Sequence, residues 1–339
     1  MTVTAALAVL AVLVYGPFRI LQAGKYSSEN WLDFIVFGLA QGSLYALIAL
    51  GYTLVYGILR MINFAHGEVF MCGAFTGYFA AAALDGSGFM DRHPLVGLLA
   101  VTVVAASTSI GVAVLLERIA YRPLRRAPRL VPLITAIGAS LFLQYTVSGL
   151  YGSGLETYPD VDVLKGDWQI LGIGILKTQA VVIAAAVLIM LSLYAFVQHT
   201  RTGRAMRAVS EDKDTAALMG IDVDGIIVRT FVLGGALAGV AGVLHALIYK
   251  QVVFNMGFQP GLKAFTAAVL GGIGNVPGAM LGGLFLGVVE SIGPGLFLEG
   301  LGIPAAYQLK DAIAFTLLVL VLIFRPTGIL GERVSEKRA

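Results

Sequence analysis

The stretch Arg60-Met61-Ile62-Asn63-Phe64-Ala65-His66-Gly67-Glu68 places an arginine, an asparagine, a histidine and a carboxylate within nine residues. Apolar runs of hydrocarbon length flank it, at residues 34–59 and 69–84. Ionisable groups at membrane depth are costly and face a bundle interior or a water-filled path. If the island lies at that depth, its polar groups hold and pass a polar solute rather than make or break bonds. Asn63, Ala65, His66, Gly67 and Glu68 are then the candidates for the path. The competing reading is an inner-face hairpin between two spans, with Asn63 capping a helix.

A second irregularity lies in the carboxy-terminal half, where an apolar run at 266–289 is broken by Gly271-Gly272-Ile273-Gly274-Asn275-Val276-Pro277. Gly271, Gly272 and Gly274 let the chain turn and approach a neighbour closely. Asn275 can cap the following helix, and Pro277 suits its first turn. Broken helices offer free backbone groups and dipole ends to a solute, and irregular backbone at depth must be buried or line a cavity. The alternative is a plain turn between packed helices. Gly235 with Gly239, Gly278 with Gly282 and Gly283 with Gly287 are small-xxx-small pairs that allow close packing. Glu290 and His245 read as isolated polar residues within spans.

The segment 200–225 is too long and patterned for a simple connector. Residues 204–209 can form a short helix. Asp212 or Asp214 can cap a second one at 215–219, which Gly220 ends. Ala216, Leu218 and Met219 would offer a small apolar contact of the kind a short helix seats in a partner's groove. The alternative is a solvated basic loop.

The elements that must position these groups follow from composition. Of 339 residues, 58% are hydrophobic and 13% charged, against about half and a quarter in soluble domains. The fold class is all-α: a polytopic transmembrane helical bundle of about 8–10 segments with two discontinuous or re-entrant elements. The expected spans are 34–59, 69–84, 95–116, 131–151, 170–197, 230–249 and 309–324, with the broken 266–289 and a shorter run at 4–15 that is either a span or a signal peptide, each judged against the roughly 20 residues a crossing needs. Arginines and lysines in the loops at 117–130 and 198–229 and in the tail put those on the cytoplasmic side, and the acidic loop 152–168 outside. That count closes if 266–289 returns to its own side, or if the region up to 298 makes two crossings. The single cysteine, Cys72, excludes an intrachain disulfide. No P-loop, metal-type Cys/His spacing or G-x-S-x-G elbow occurs, so an enzyme or ATPase is not expected and any energy source is an ion gradient or a separate chain.

The run from Gly38 to Glu68, the block Gly203-Arg-Ala-Met-Arg-Ala-Val-Ser-Glu-Asp212 with Ala217-Leu-Met-Gly-Ile221, and the block from Ala267 to Gly283 resemble permease subunits of branched-chain amino acid ABC importers, of the shorter type carrying Asn-Phe-Ala-His-Gly. The likeness runs over about 32–330. It implies a permease domain at 31–330, preceded by a hydrophobic segment and periplasmic link at 1–30 and followed by a cytoplasmic tail at 331–339. It also implies a multi-pass protein of the bacterial inner membrane with a cytoplasmic carboxyl terminus. The expected partners are a sister permease, two cytoplasmic ATPases and a periplasmic binding protein. No cofactor or metal is expected in this chain, and ATP with magnesium would act on the ATPases. Gly203, Arg204, Arg207, Ala208, Glu211, Asp212, Leu218 and Gly220 become the coupling element. The two breaks, including Gly271, Gly272, Gly274 and Asn275, become the pathway lining. Branched-chain amino acids are the expected solute. Urea or short-chain amides, and an autonomous small-solute channel, stand as alternatives.

Overall fold

A computed structural model describes residues 14–331, apart from 126, 129, 171, 172 and 326. The run expected at 4–15 falls almost wholly outside that set. So do Arg126 and Arg129 of the basic loop and the tail from residue 332.

The chain folds as α1 (Ser28–Leu59), α2 (His66–Gly86), α3 (Pro94–Leu115), α4 (Leu130–Tyr151), α5 (Lys177–His199), α6 (Arg201–Glu211), α7 (Lys213–Leu218), α8 (Val223–Tyr249), α9 (Phe258–Gly271), α10 (Val276–Gly293) and α11 (Lys310–Phe324). Eight of the described helical stretches are long and apolar enough to cross a membrane. The polytopic helical bundle expected from composition is therefore present.

The α1 helix is the axis of the bundle. Ser27 and Asn30 cap it reciprocally: the Asn30 amide donates to Ser27 Oγ at 3.3 Å and the Ser27 amide to Asn30 Oδ1 at 3.0 Å. Every residue from Ala40 to Val55 is buried, so this stretch is enclosed on all sides rather than amphipathic. The α10 helix lies against it through glycines. A Cβ on Gly42 would stand 2.8 Å from the Gly283 carbonyl oxygen, and Gly287 packs directly on Gly42. Gly235 and Gly239 seat α8 on α3 in the same way, a Cβ on Gly239 reaching 2.6 Å from the Ala106 Cα. In hydrocarbon such backbone approach supplies the packing that apolar transfer supplies in water. Large apolar side chains of α3, α4, α5 and α11, among them Leu95, Phe142, Leu188 and Phe324, stay exposed on the flanks.

One expected span needs correction. The run 170–197 does not start as helix: Asp167–Ile170 pairs antiparallel with Ile173–Leu176, and α5 begins only at Lys177. Glycine alternates with isoleucine across 172–175, a period of two that suits a hairpin rather than a helix.

The ends of the bundle differ in charge. At the basic end Arg60 donates from Nη2 to the Ser210 carbonyl at 2.8 Å, and Arg122 and Arg125 pair with Asp224. At the acidic end Glu156 accepts from Tyr78 at 2.8 Å and Asp160 pairs with Lys250 at 2.9 Å. The broken carboxy-terminal segment resolves into two helices. The α9 helix runs to the basic end, the chain turns through positive φ at Gly272 (106°) and Gly274 (98°), and α10 returns. The segment is therefore two helices joined by a turn at the basic end, of which α10, and not the 14-residue α9, is long enough to cross a membrane.

Candidate functional site

The polar island is neither a flat hairpin nor a surface loop. Leaving α1 at Arg60, which closes that helix in a left-handed conformation (φ 58°), the chain turns back into the bundle before α2 begins. The His66 ring packs on Gly51, leaving no space there for a side chain, and meets Tyr52 edge-on at 5.0 Å. At 1.5 Å per residue, Gly51 stands about 12 Å along α1 from its Leu59 end. The amino terminus of α2 is therefore set inside the protein. Asn63, Ala65, His66, Gly67 and Glu68 are all buried.

Each group finds a defined setting there. Asn63 Oδ1 accepts from the Tyr121 hydroxyl, and the Asn63 carbonyl accepts from the His66 amide at 3.1 Å. Glu68 Oε1 accepts from Gln144 Nε2 at 2.7 Å and from Ser140 Oγ at 3.2 Å, both on α4. Its Oε2 and His66 Nε2 have no protein partner. A Cβ on Gly257 would lie 2.7 Å from that Oε2. Glu68 thus sits in the first turn of α2 and beside the N-cap of α9, at the positive ends of two helix dipoles. Those ends favour negative charge on its carboxyl group, against the cost of burial, and no ion pair to it occurs among the described residues. Gly67 meets Gly257 backbone to backbone, so α9 begins beside the amino terminus of α2. The connector 250–257 descends from the acidic end, and α9 covers only the remaining depth, about 21 Å of helix.

The other break lies at the basic end. Asn275 caps α10, its Oδ1 accepting from the Gly278 amide at 2.9 Å, while its Nδ2 donates to the Leu330 carbonyl at 2.9 Å. Gly271 packs on Gly278, and a Cβ on Gly272 would meet the Gly331 backbone. Gly271 lines an apolar groove with Leu281 and Phe285. A Cβ on Gly57 of α1 would stand 3.9 Å from the Gly274 Cα, which brings this turn close to the start of the island.

A buried ionic cluster escaped the sequence reading. Lys263 of α9, 4% exposed, pairs with Glu290 of α10 and, at 2.6 Å, with Asp311 of α11. Glu290 is therefore not isolated. The Tyr45 ring stands 5.7 Å from Lys263 Nζ, and Tyr45 accepts from Gln41 at 2.6 Å. His245 lies 4.3 Å from the Tyr249 ring and 5.4 Å from Phe70. Beside this cluster opens a cavity of about 520 Å³, toward the acidic end. None of the island residues lines it, but Gln144, the hydrogen-bond partner of Glu68, does. The signal available in sequence was the rarity of Lys263, Glu290 and Asp311 among apolar neighbours. Their pairing across three helices was not legible.

At the basic end α6 and α7 form a compact projection. Thr200 caps α6, and Gly203 packs against the Val197 carbonyl, where no side chain fits. Gly203, Met206 and Val209 face inward, whereas Arg204, Arg207 and Glu211 face outward. Arg207 is held by the side chain and carbonyl of Gln198. Asp212 Oδ1 accepts from the Asp214 and Thr215 amides at 2.9 Å and caps α7, and Gly220 follows at φ 82°. Leu218 and Met219 are 88% and 78% exposed. Ala216 is buried, which removes it from the expected apolar contact and leaves a two-residue tip. Partial burial, then Arg125 and Arg60, hold Lys213 below the ordinary lysine range.

No cluster of three or more His, Cys, Asp or Glu placed to hold a metal ion occurs among the described residues. Residues 34–322 match the family model described as "Branched-chain amino acid transport system / permease component". The chain is 46% identical over 312 residues to the high-affinity branched-chain amino acid transport system permease protein BraD of Pseudomonas aeruginosa, covering 91% of this chain and 98% of that one. It is 44% identical over 318 residues to LivH of Escherichia coli K12, of the same description, covering 91% and 99%. It is also 30% identical over 145 residues, 40% of this chain and 41% of the relative, to the "Probable branched-chain amino acid transport permease protein LivM" of Methanocaldococcus jannaschii. With a polytopic helical fold and a match across nearly the whole bundle, the chain belongs to the branched-chain amino acid transport system permease family.

Proposed function

We propose that this chain is a permease subunit of an ATP-driven importer and forms part of the path for branched-chain or related hydrophobic amino acids delivered by a periplasmic binding protein. It pairs with a sister permease, a role supported by its likeness to LivM. ATP, with magnesium, is hydrolysed on two separate cytoplasmic chains. The basic end, with the tail, faces the cytoplasm of a bacterial inner membrane.

The observation that carries this reading is the linkage between α7 and the island. The Leu218–Met219 tip is apolar and exposed, while the root of the same projection accepts the Arg60 guanidinium at the Ser210 carbonyl. Arg60 in turn opens the turn that leads to Asn63 and His66. A push on the tip by closing ATPases is thereby delivered to the amino terminus of α2. Unequal solute contacts in the two resulting arrangements are what couples ATP to movement.

The test is co-purification of the ATPases with Leu218→Asp/Met219→Asp. At least a tenfold loss of bound ATPase is expected, with the permease itself still monodisperse in detergent. Wild-type assembly and ATP-driven uptake would overturn the docking assignment.

A further inference from the structure

Resting on the import reading, we infer that the cavity at the acidic end holds the solute as a zwitterion, with the carboxylate on Lys310 and the ammonium against the Gln144 amide carbonyl. The volume, about 520 Å³, falls in the range of small-molecule sites, roughly 300–1,000 Å³. The wall is divided chemically. Leu44 and Met256 offer an apolar surface for an aliphatic side chain, and Gln144, Tyr45, Tyr249 and Lys310 offer polar or π-rich surfaces.

The charges available in that wall decide which pole goes where. Lys263 is already held by Glu290 and Asp311. Lys310, which also lines the cavity, has no ion pair among the described residues. It is the cation left to meet a carboxylate. The α9 amino terminus, whose Phe258, Gln259 and Pro260 line the same space, adds the positive end of a helix dipole. On the other side, Gln144 spends its amide N–H on Glu68 and keeps its carbonyl as an acceptor. Lys263, Lys310, Glu290 and Asp311 sum to zero formal charge, so a solute with no net charge leaves the site balanced. Urea or a simple amide has no carboxylate and would make no use of Lys310. An α-amino acid uses both poles.

The test is initial L-leucine uptake by proteoliposomes holding the whole importer, with ATP inside and leucine-loaded binding protein outside. Lys310→Gln is expected to lower uptake at least tenfold while the complex still assembles with its ATPases, and Lys310→Arg to restore at least half of it. Met256→Trp, which fills the cavity without touching a charge, is expected to lower uptake to a similar degree. A wild-type rate in either Lys310→Gln or Met256→Trp would overturn the zwitterion site and leave the import reading intact. Absence of ATP-driven leucine uptake by the wild type would overturn the import reading and this inference with it.

Discussion

Glu68 Oε1 accepts a 2.7 Å hydrogen bond from Gln144 Nε2, across the gap between α2 and α4. Buried residues of α4 form one stripe, Pro132, Ala136, Ser140, Gln144 and Val147, spaced by four, four, four and three. The polar pair Ser140 and Gln144 lies within that stripe, so the carboxylate helps to fix how α4 meets the re-entrant start of α2. Replacing Glu68 by alanine leaves buried donors without an acceptor, at a cost of about 1–3 kcal/mol for each unsatisfied group. Glu68→Ala is expected to lower the thermal midpoint of the detergent-solubilised protein. Glu68→Ala/Gln144→Leu should recover part of the loss, because neighbours in one network are not additive. Strict additivity in the melts would show that the two side chains are not coupled.

Gly51 and His66 form a lock-and-key pair. A methyl group at 51 has no room beside the imidazole, and overpacking of this kind costs about 1–3 kcal/mol. Gly51→Ala should therefore be unstable or inactive, and His66→Ala in the same chain should relieve it. Thermal melts of the single and double variants check this. An equally destabilised double variant would place the defect elsewhere.

The Lys263 cluster predicts an asymmetric result. Lys263→Met strips the buried Glu290, and the partly exposed Asp311, of their shared cation, and breaking a buried pair from one side costs about 3–5 kcal/mol. Lys263→Met/Glu290→Gln should be closer to wild type in thermal stability. If the single variant melts with the wild type, the cluster does not hold α9, α10 and α11 together.

Much of this arrangement was legible in the sequence, for identifiable reasons. The Asn275 cap, the glycine turn before it, the Asp212 cap and the Gly220 stop depend on local backbone chemistry, and each appears in its expected place. The small-xxx-small glycines also met their partners. Depth was not legible. A cytoplasmic hairpin and a helix beginning about 12 Å inside the bundle share the same local pattern, and only the packing of His66 on Gly51 separates them. Nor was the company of Glu290, since Lys263 and Asp311 reach it from separate helices. Ala216 turned inward because its turn of α7 packs on the bundle, a tertiary choice that a six-residue helix does not dictate.

Acidic pH should reveal a modest contribution at the other end. Hydrogen bonding and attraction from Lys250 hold the Asp160 carboxyl below the usual carboxylate range. A depressed folded-state value stabilises above the unfolded pKa, near 3.9, and that contribution is lost as pH falls through the folded value. Both side chains are substantially exposed, so solvent screening limits the pair to about 1 kcal/mol or less. Asp160→Asn should shift the melt slightly at pH 7 and not at all well below pH 3. An undiminished difference at low pH would exclude the ion pair as its cause.

The central claim is that this chain is a path driven by separate ATPases rather than a channel on its own. The most direct measurement is L-leucine flux into proteoliposomes carrying this chain alone, and then carrying it with the sister permease, both ATPases and the loaded binding protein. Leucine entry that appears only with the complete assembly and internal ATP is the predicted result. ATP-independent entry through this chain alone, at a rate comparable to that of the full assembly, would contradict it.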